Sequence, residues 1–305
     1  LFGRLQSHSF GTMKTDTAKR MKRSWQQHFM TVRKSILLGF ITCIVSFHAE
    51  AQIMHAGVKA GPQMTWMTID DKAFRDQVKV NPLFGYHAGF VLSFKVKERY
   101  FLHTEYIFST KGKVNRGRVD KMLKDRVTYN YVEIPMLYHV HFRGKLGGAR
   151  EFKWYAGAGP LFSYWLGGRG KINSDEFAEN SFPPLDYKIV FGERGEDIGE
   201  IEAIYMRDVN RFQLGFNLGG GLMLEPANGG KMMFDVRLDI GHSWMGTPTS
   251  ADYVLPVTYD DNLKARNMAL RFSVMYLFER NLDKKVRNKG KSNVKKKGNM
   301  IEQKK

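Results

Sequence analysis

Tyr129-Asn-Tyr-Val-Glu-Ile-Pro-Met-Leu-Tyr-His-Val-His-Phe142 is the stretch that decides the fold. Val132, Ile134, Met136, Tyr138, Val140 and Phe142 occupy every second position and form an apolar or amphipathic face. Tyr131, Glu133, Pro135, Leu137, His139 and His141 form the other. Side chains alternate faces along a strand, so this is a long two-sided strand. Strands of soluble sandwiches run about 5–6 residues, and strands that cross hydrocarbon need roughly 9–11. The segment meets the longer requirement. One of its faces carries an ionisable glutamate, which fits apolar residues toward lipid and polar ones toward a lumen.

Seven more segments alternate in the same way: His55–Met67, Leu83–Val96, Tyr100–Gly112, Phe152–Leu166, Val209–Glu225, Lys231–Met245 and Arg266–Phe278. Short connections fall at 97–99, 144–151 and 226–230, and long ones at 68–82, 113–128, 167–208 and 246–265. Short turns on one side with longer loops on the other are the outer-membrane arrangement. The expected fold is therefore all-β: an eight-stranded antiparallel up-and-down transmembrane β-barrel of outer-membrane type across 52–278. An even strand count places both termini on the short-turn, periplasmic side. Aromatic residues near the strand ends (Trp66, Tyr100, Tyr129, Trp154, Trp165, Trp244, Tyr276 and Phe278) are expected to form interfacial girdles.

The ends of the chain explain its charge. Of the net +18, residues 1–51 carry 8 Lys/Arg against 2 acids and residues 279–305 carry 11 against 3, which leaves +4 for the middle. A nucleic-acid partner is not implied by a charge placed this way. Arg33-Lys34, the apolar run Ile36–Phe47 and Ala49-Glu-Ala51 read as a cleaved signal peptide over 30–51. Residues 1–29 read as an upstream extension. The single cysteine, Cys43, lies inside the signal, so the exported chain has no thiol chemistry. The tail 279–305 reads as a basic, disordered periplasmic segment suited to an anionic partner.

Gly57-Val-Lys-Ala-Gly61, Glu105-Tyr106 with Lys111-Gly112, Tyr131-Val-Glu-Ile-Pro135, Gly157-Ala-Gly-Pro160 and the closing Tyr276-Leu-Phe278 resemble the PorT-like outer-membrane β-barrel family of Bacteroidetes. The resemblance covers roughly residues 52–278. It implies an outer-membrane barrel, and for the family's namesake a link to type IX secretion and its components.

An eight-stranded barrel is only wide enough for its own side chains. The inward positions include Lys59, His87, Lys95, His103, Glu105, Glu133, His139, His141, Arg211, Asp235, Arg237, Asp239 and Arg271. Buried charges persist when paired, so a lumen charge network is expected, with Glu105 and Glu133 facing arginines such as Arg237 and Arg271. His139 and His141 share a face at metal-ligand spacing, but two lumen histidines are the better reading. No metal and no cofactor are expected. The chain is not read as an enzyme. The alternative is a lipid-modifying barrel enzyme, for which His242-Ser243 is a candidate pair, although adjacent strand residues point to opposite faces. A third possibility is a soluble barrel with its apolar faces inward around a ligand. The acidic 168–208 segment reads as a solvated extracellular loop, and the basic 113–128 segment as a loop able to meet lipopolysaccharide phosphates.

Overall fold

The computed structural model describes residues 53–146, 150–179, 183–192, 203–226, 230–253 and 261–281. The upstream extension, the signal segment and the tail beyond Asn281 lie outside them. Among the described residues eleven strands form one sheet: β1 Ile53–Ile69, β2 Val78–Lys97, β3 Tyr100–Gly117, β4 Lys124–Leu146, β5 Arg150–Asn173, β6 Leu185–Phe191, β7 Ala203–Met206, β8 Phe212–Leu224, β9 Gly230–Gly241, β10 Ala251–Tyr253 and β11 Ala265–Asn281. Two short helices, α1 Lys72–Gln77 and α2 Asp175–Glu179, lie in connections. Asp71 caps α1 by accepting from the Phe74 N–H at 3.3 Å.

Eight of the strands close a ring in the order β1–β2–β3–β4–β5–β8–β9–β11, with β11 pairing back onto β1. Every pair in the ring is antiparallel. Closure removes the free edges that an open sheet would expose.

The polarity of the ring is inverted relative to a soluble protein. Phe90, Leu218, Phe216, Val236, Phe272 and Val274 point outward and are exposed, while Lys59, Glu105, Glu133, Arg237 and Arg271 are buried. A soluble barrel with its apolar faces inward is contradicted by this placement. On β4 the outward apolar residues run from Val132 to Phe142. Ten residue steps span roughly 34 Å, which a strand tilt of about 40° brings to about 26 Å, the height of a bilayer's apolar belt.

At the end away from the termini the strands outrun that band. Beyond Val132 the outward residues of β4 are Asn130, Thr128, Arg126 and Lys124, so this part of the sheet stands clear of hydrocarbon. Here β6 continues the sheet beside β5, β7 pairs parallel to β6, and β10 pairs with β7. Most of the described residues of the 113–128 and 168–208 segments, which were expected to be loops, are therefore strand. Their inward positions explain why. Val127, Tyr129, Ile172, Tyr187, Ile189 and Ile204 gather with Trp165, Met245 and Leu263 into an apolar core above the ring. A solvated loop would leave these side chains in water. β11 also runs to Asn281, three residues into the stretch read as disordered tail.

Trp165 sits at the base of this dome. Its ring meets Tyr129 and Phe191 edge-on, each at 5.0 Å between centroids, and its Nε1–H donates to the Gly167 carbonyl at 3.0 Å. β5 bulges here: Trp165 pairs with Tyr131, but Gly167 pairs with Asn130. Gly167 has φ +152°, a conformation open to glycine and costly for other residues. Tyr129 and Trp165 are fully buried, which removes both from the expected girdle. Their odd positions share the parity of Glu133 and Ser163, so they belong to the inner face. Tyr100, Trp154 and Phe278 remain exposed near the termini end.

Candidate functional site

The lumen holds its charge in two layers. In the layer nearer the termini, Lys59 Nζ lies 3.2 Å from Glu105 Oε2 and 3.3 Å from Asp235 Oδ2. Arg237 reaches Glu105 through Nη1 at 2.8 Å and Asp235 through Nε at 2.5 Å. In the next layer, Lys111 Nζ lies 2.6 Å from Glu133 Oε1 and 3.5 Å from Asp239 Oδ2. Arg271 pairs with Glu133 and lies 2.5 Å from Asp239. Each layer is two cations and two carboxylates and is internally neutral. All eight side chains are at most 3% exposed. Buried charge is tolerable when it is neutralised at contact distance, so neutrality of each layer separately is the condition for filling a narrow barrel this way.

Neutral groups complete the second layer. Ser163 Oγ donates to Glu133 at 3.0 Å, and Asn217 Nδ2 donates to Asp239 at 2.5 Å. Small residues make the space. A Cβ on Gly219 would lie 2.6 Å from Arg237 Cγ, and one on Gly157 would collide with the His139 ring.

His139 and His141 do not converge on a common point with a carboxylate. His139 stacks on His103 at 4.5 Å, and His141 stacks on Phe101 at 4.1 Å. Among the described residues no three His, Cys, Asp or Glu side chains are arranged to hold a metal ion. His103 Nε2 lies 3.2 Å from Glu105, at the edge of the first ionic layer. Below the histidines, Val91, Tyr155, Met223, Met233, Met275 and Leu277 form a small apolar cluster. A mouth of about 590 Å³, lined by residues that include Lys95, Arg143, Lys153 and Lys231, opens at the end that carries the termini.

Arg211 departs from the expected lumen set. It precedes β8, donates from Nε to the Trp165 carbonyl at 3.1 Å, and stacks over Phe191 and Tyr164 at the rim. At the expected His242-Ser243 pair, the Ser243 hydroxyl accepts the Leu214 N–H at 3.0 Å, and His242 is exposed. Lys111 continues the odd-numbered face of Glu105 and Ser109, so the alternation of the strand carries the signal that places it in the lumen. Lys113 is fully buried and 2.5 Å from Asp261, so it is not part of an outward basic loop. No periodicity could have found Asp261, which lies outside any strand.

A polar shelf divides the ionic layers from the dome. Asn267 Nδ2 donates to the Tyr131 hydroxyl and to Gln213, each at 2.9 Å. Above it, and above the apolar band, Tyr187 donates its hydroxyl to Asp125 at 2.6 Å. Burial pushes the Asp125 carboxyl up from 3.8 to about 7, and the neighbouring Asp261 carboxylate pushes the same way. The folded chain thus holds a proton that the unfolded chain releases near pH 4. The contribution of Asp125 to dome stability is then greatest at or below about pH 4 and falls as pH rises to about 7. The Asp125→Asn variant is expected to flatten this slope, measured as amide exchange of β6 and β7 between pH 5 and 8. An unchanged slope would place the titration elsewhere.

The closed ring, the inverted polarity and the filled lumen agree with a sequence comparison. The outer membrane protein beta-barrel domain family matches residues 50–243. The chain belongs to this family. Family membership places the protein in the outer membrane. No characterised protein matches the chain by sequence. Solved structures similar to the chain include OprG from Pseudomonas aeruginosa, at 10% identity, 75% of this chain, 94% of that one and a TM-score of 0.39. Neisserial surface protein A matches at 8% identity, 73% and 95% coverage and a TM-score of 0.32. Ail of Yersinia pestis, solved with the heparin analogue sucrose octasulfate, matches at 9% identity, 74% and 99% coverage and a TM-score of 0.30.

Proposed function

We propose that this outer-membrane barrel is a non-enzymatic, non-conducting component of PorT-like type that acts as a structural or secretion-accessory element or in binding at the cell surface. The observation that supports this is the pair of neutral ionic layers beneath an apolar dome. A diffusion pore needs a continuous wet path, and an enzyme needs a reactive group at an accessible cleft. Here the ionisable groups of the lumen are spent on one another. The termini face the periplasm after export through the signal segment, where the basic tail is available to anionic polymer, an acidic protein or secretion-system components. The dome then stands outside the cell, and lipopolysaccharide surrounds the barrel.

Reconstitution into planar bilayers tests the filled lumen. The wild-type protein is expected to give no unitary conductance steps. A Lys111→Ala, Arg271→Ala double variant, which empties one side of a layer, is expected to give small cation-selective events. Steady open-pore conductance from the wild type would overturn the proposal. A change in outer-membrane lipid composition that requires catalytically competent protein would overturn its non-enzymatic part.

A further inference from the structure

The outward face of the dome carries cations where the register makes them costly. β2, β3, β4, β5 and β6 lie side by side, and Lys79 pairs with Arg116, which pairs in turn with Lys124. Arg126 pairs with Lys171, and Arg169 with Lys188. All of these side chains are exposed. Residues directly opposite on one face of a sheet hold their Cβ atoms about 4.5–5.5 Å apart, where like charges destabilise. Lys171 has an opposed acid, Asp186 at 3.2 Å. Lys79, Arg116, Lys124, Arg126 and Arg169 have no acid partner among the described residues. Solubility alone would be served as well by alternating signs, which stabilise the sheet instead of straining it.

Height identifies the anion. Leu166 is the last exposed apolar residue on β5, and Arg169 lies three residues beyond it. Three residues rise roughly 10 Å along the strand, or about 8 Å above the band after tilt. The headgroup zone of a leaflet is about 5–8 Å deep. Arg126 lies six residues past Val132, about 15 Å above the band by the same reckoning. The cations therefore begin at headgroup level and climb from there, a distribution matched by an anchored glycolipid that carries phosphates at and above the hydrocarbon boundary. We propose that this face is a binding site for the phosphate groups of lipopolysaccharide in the leaflet the barrel spans. Guanidinium forks at Arg116, Arg126 and Arg169 would each take phosphate oxygens in pairs.

The proposal rests on the dome facing outward, and its test separates the two. Purified full-length protein, wild type and an Arg116→Gln, Arg126→Gln, Arg169→Gln variant, is titrated with lipopolysaccharide, with the same material dephosphorylated, and with a soluble sulfated polysaccharide. Wild type is expected to bind the phosphorylated glycolipid best, and the variant to lose roughly tenfold or more. The variant is expected to unfold at equal or higher denaturant, which shows that it is folded. Equal binding by both proteins, indifference to dephosphorylation, or preference for the soluble polymer would overturn the proposal. Orientation is read independently by labelling Lys188→Cys on intact cells with a membrane-impermeant reagent. Labelling only after the outer membrane is breached would sink the surface reading whatever the titrations give.

Discussion

Replacing Glu133 with glutamine is expected to lower the stability of the folded barrel by about 3–5 kcal/mol, the cost of breaking a buried ion pair. Glu133 touches both cations of its layer, Lys111 and Arg271, and accepts from Ser163 as well. Without its charge, Lys111 and Arg271 face Asp239 alone, and one positive charge is left uncompensated in a site closed to water. The adverse term is the net charge rather than the lost hydrogen bond. Restoring neutrality should therefore restore stability: Glu133→Gln combined with Lys111→Met leaves Arg271 opposite Asp239. The double variant is expected to recover most of the loss. Denaturant unfolding in detergent micelles, followed by tryptophan fluorescence and by the mobility of unboiled protein, reads both. If the single variant loses less than about 1 kcal/mol, the lumen is wet enough to screen the layer, and neither layer is the plug described here.

Leu218→Arg is expected to cost about 2–4 kcal/mol, as arginine does on the lipid face near the bilayer midplane. Leu218 lies midway along β8, pairs with Ala158 and Leu238, and is 50% exposed outward. The protein should fold poorly from urea into lipid vesicles and leave an unfolded fraction. Thr128→Arg places the same charge on an outward residue above the band, opposite Arg169, and should cost no more than about 1 kcal/mol. Equal folding yields for the two variants would mean that something other than hydrocarbon covers the apolar belt.

The two-residue alternation carried most of the fold. It placed eight strands, their inner and outer faces and the short turns, because a barrel strand reports its environment at every position. It also named the acids of both ionic layers and the arginines beside them. Where it was used inconsistently it misled: Tyr129 and Trp165 were read as girdle residues by their nearness to strand ends, against the parity that sends them inward. The 113–128 and 168–208 segments failed for a different reason. Their composition is that of loops, acidic in one case and basic in the other, and hydropathy averaged over a segment hides a single apolar row. Lys113 and Asp125 were counted as surface charges on those grounds, though both point into the dome.

The sequence by itself determined inverted polarity, the eight strands of the ring and the identity of most lumen charges, since each follows from which side of a strand a residue occupies. Only the tertiary structure decided which charges meet, that they divide into two separately neutral layers, and that the strands continue past the membrane into a capped dome. Those outcomes depend on register between strands far apart in the chain. Lys59 meets Asp235, and Arg271 meets Glu133, because ring closure brings β1, β9, β11 and β4 around one axis, and no local pattern encodes that closure.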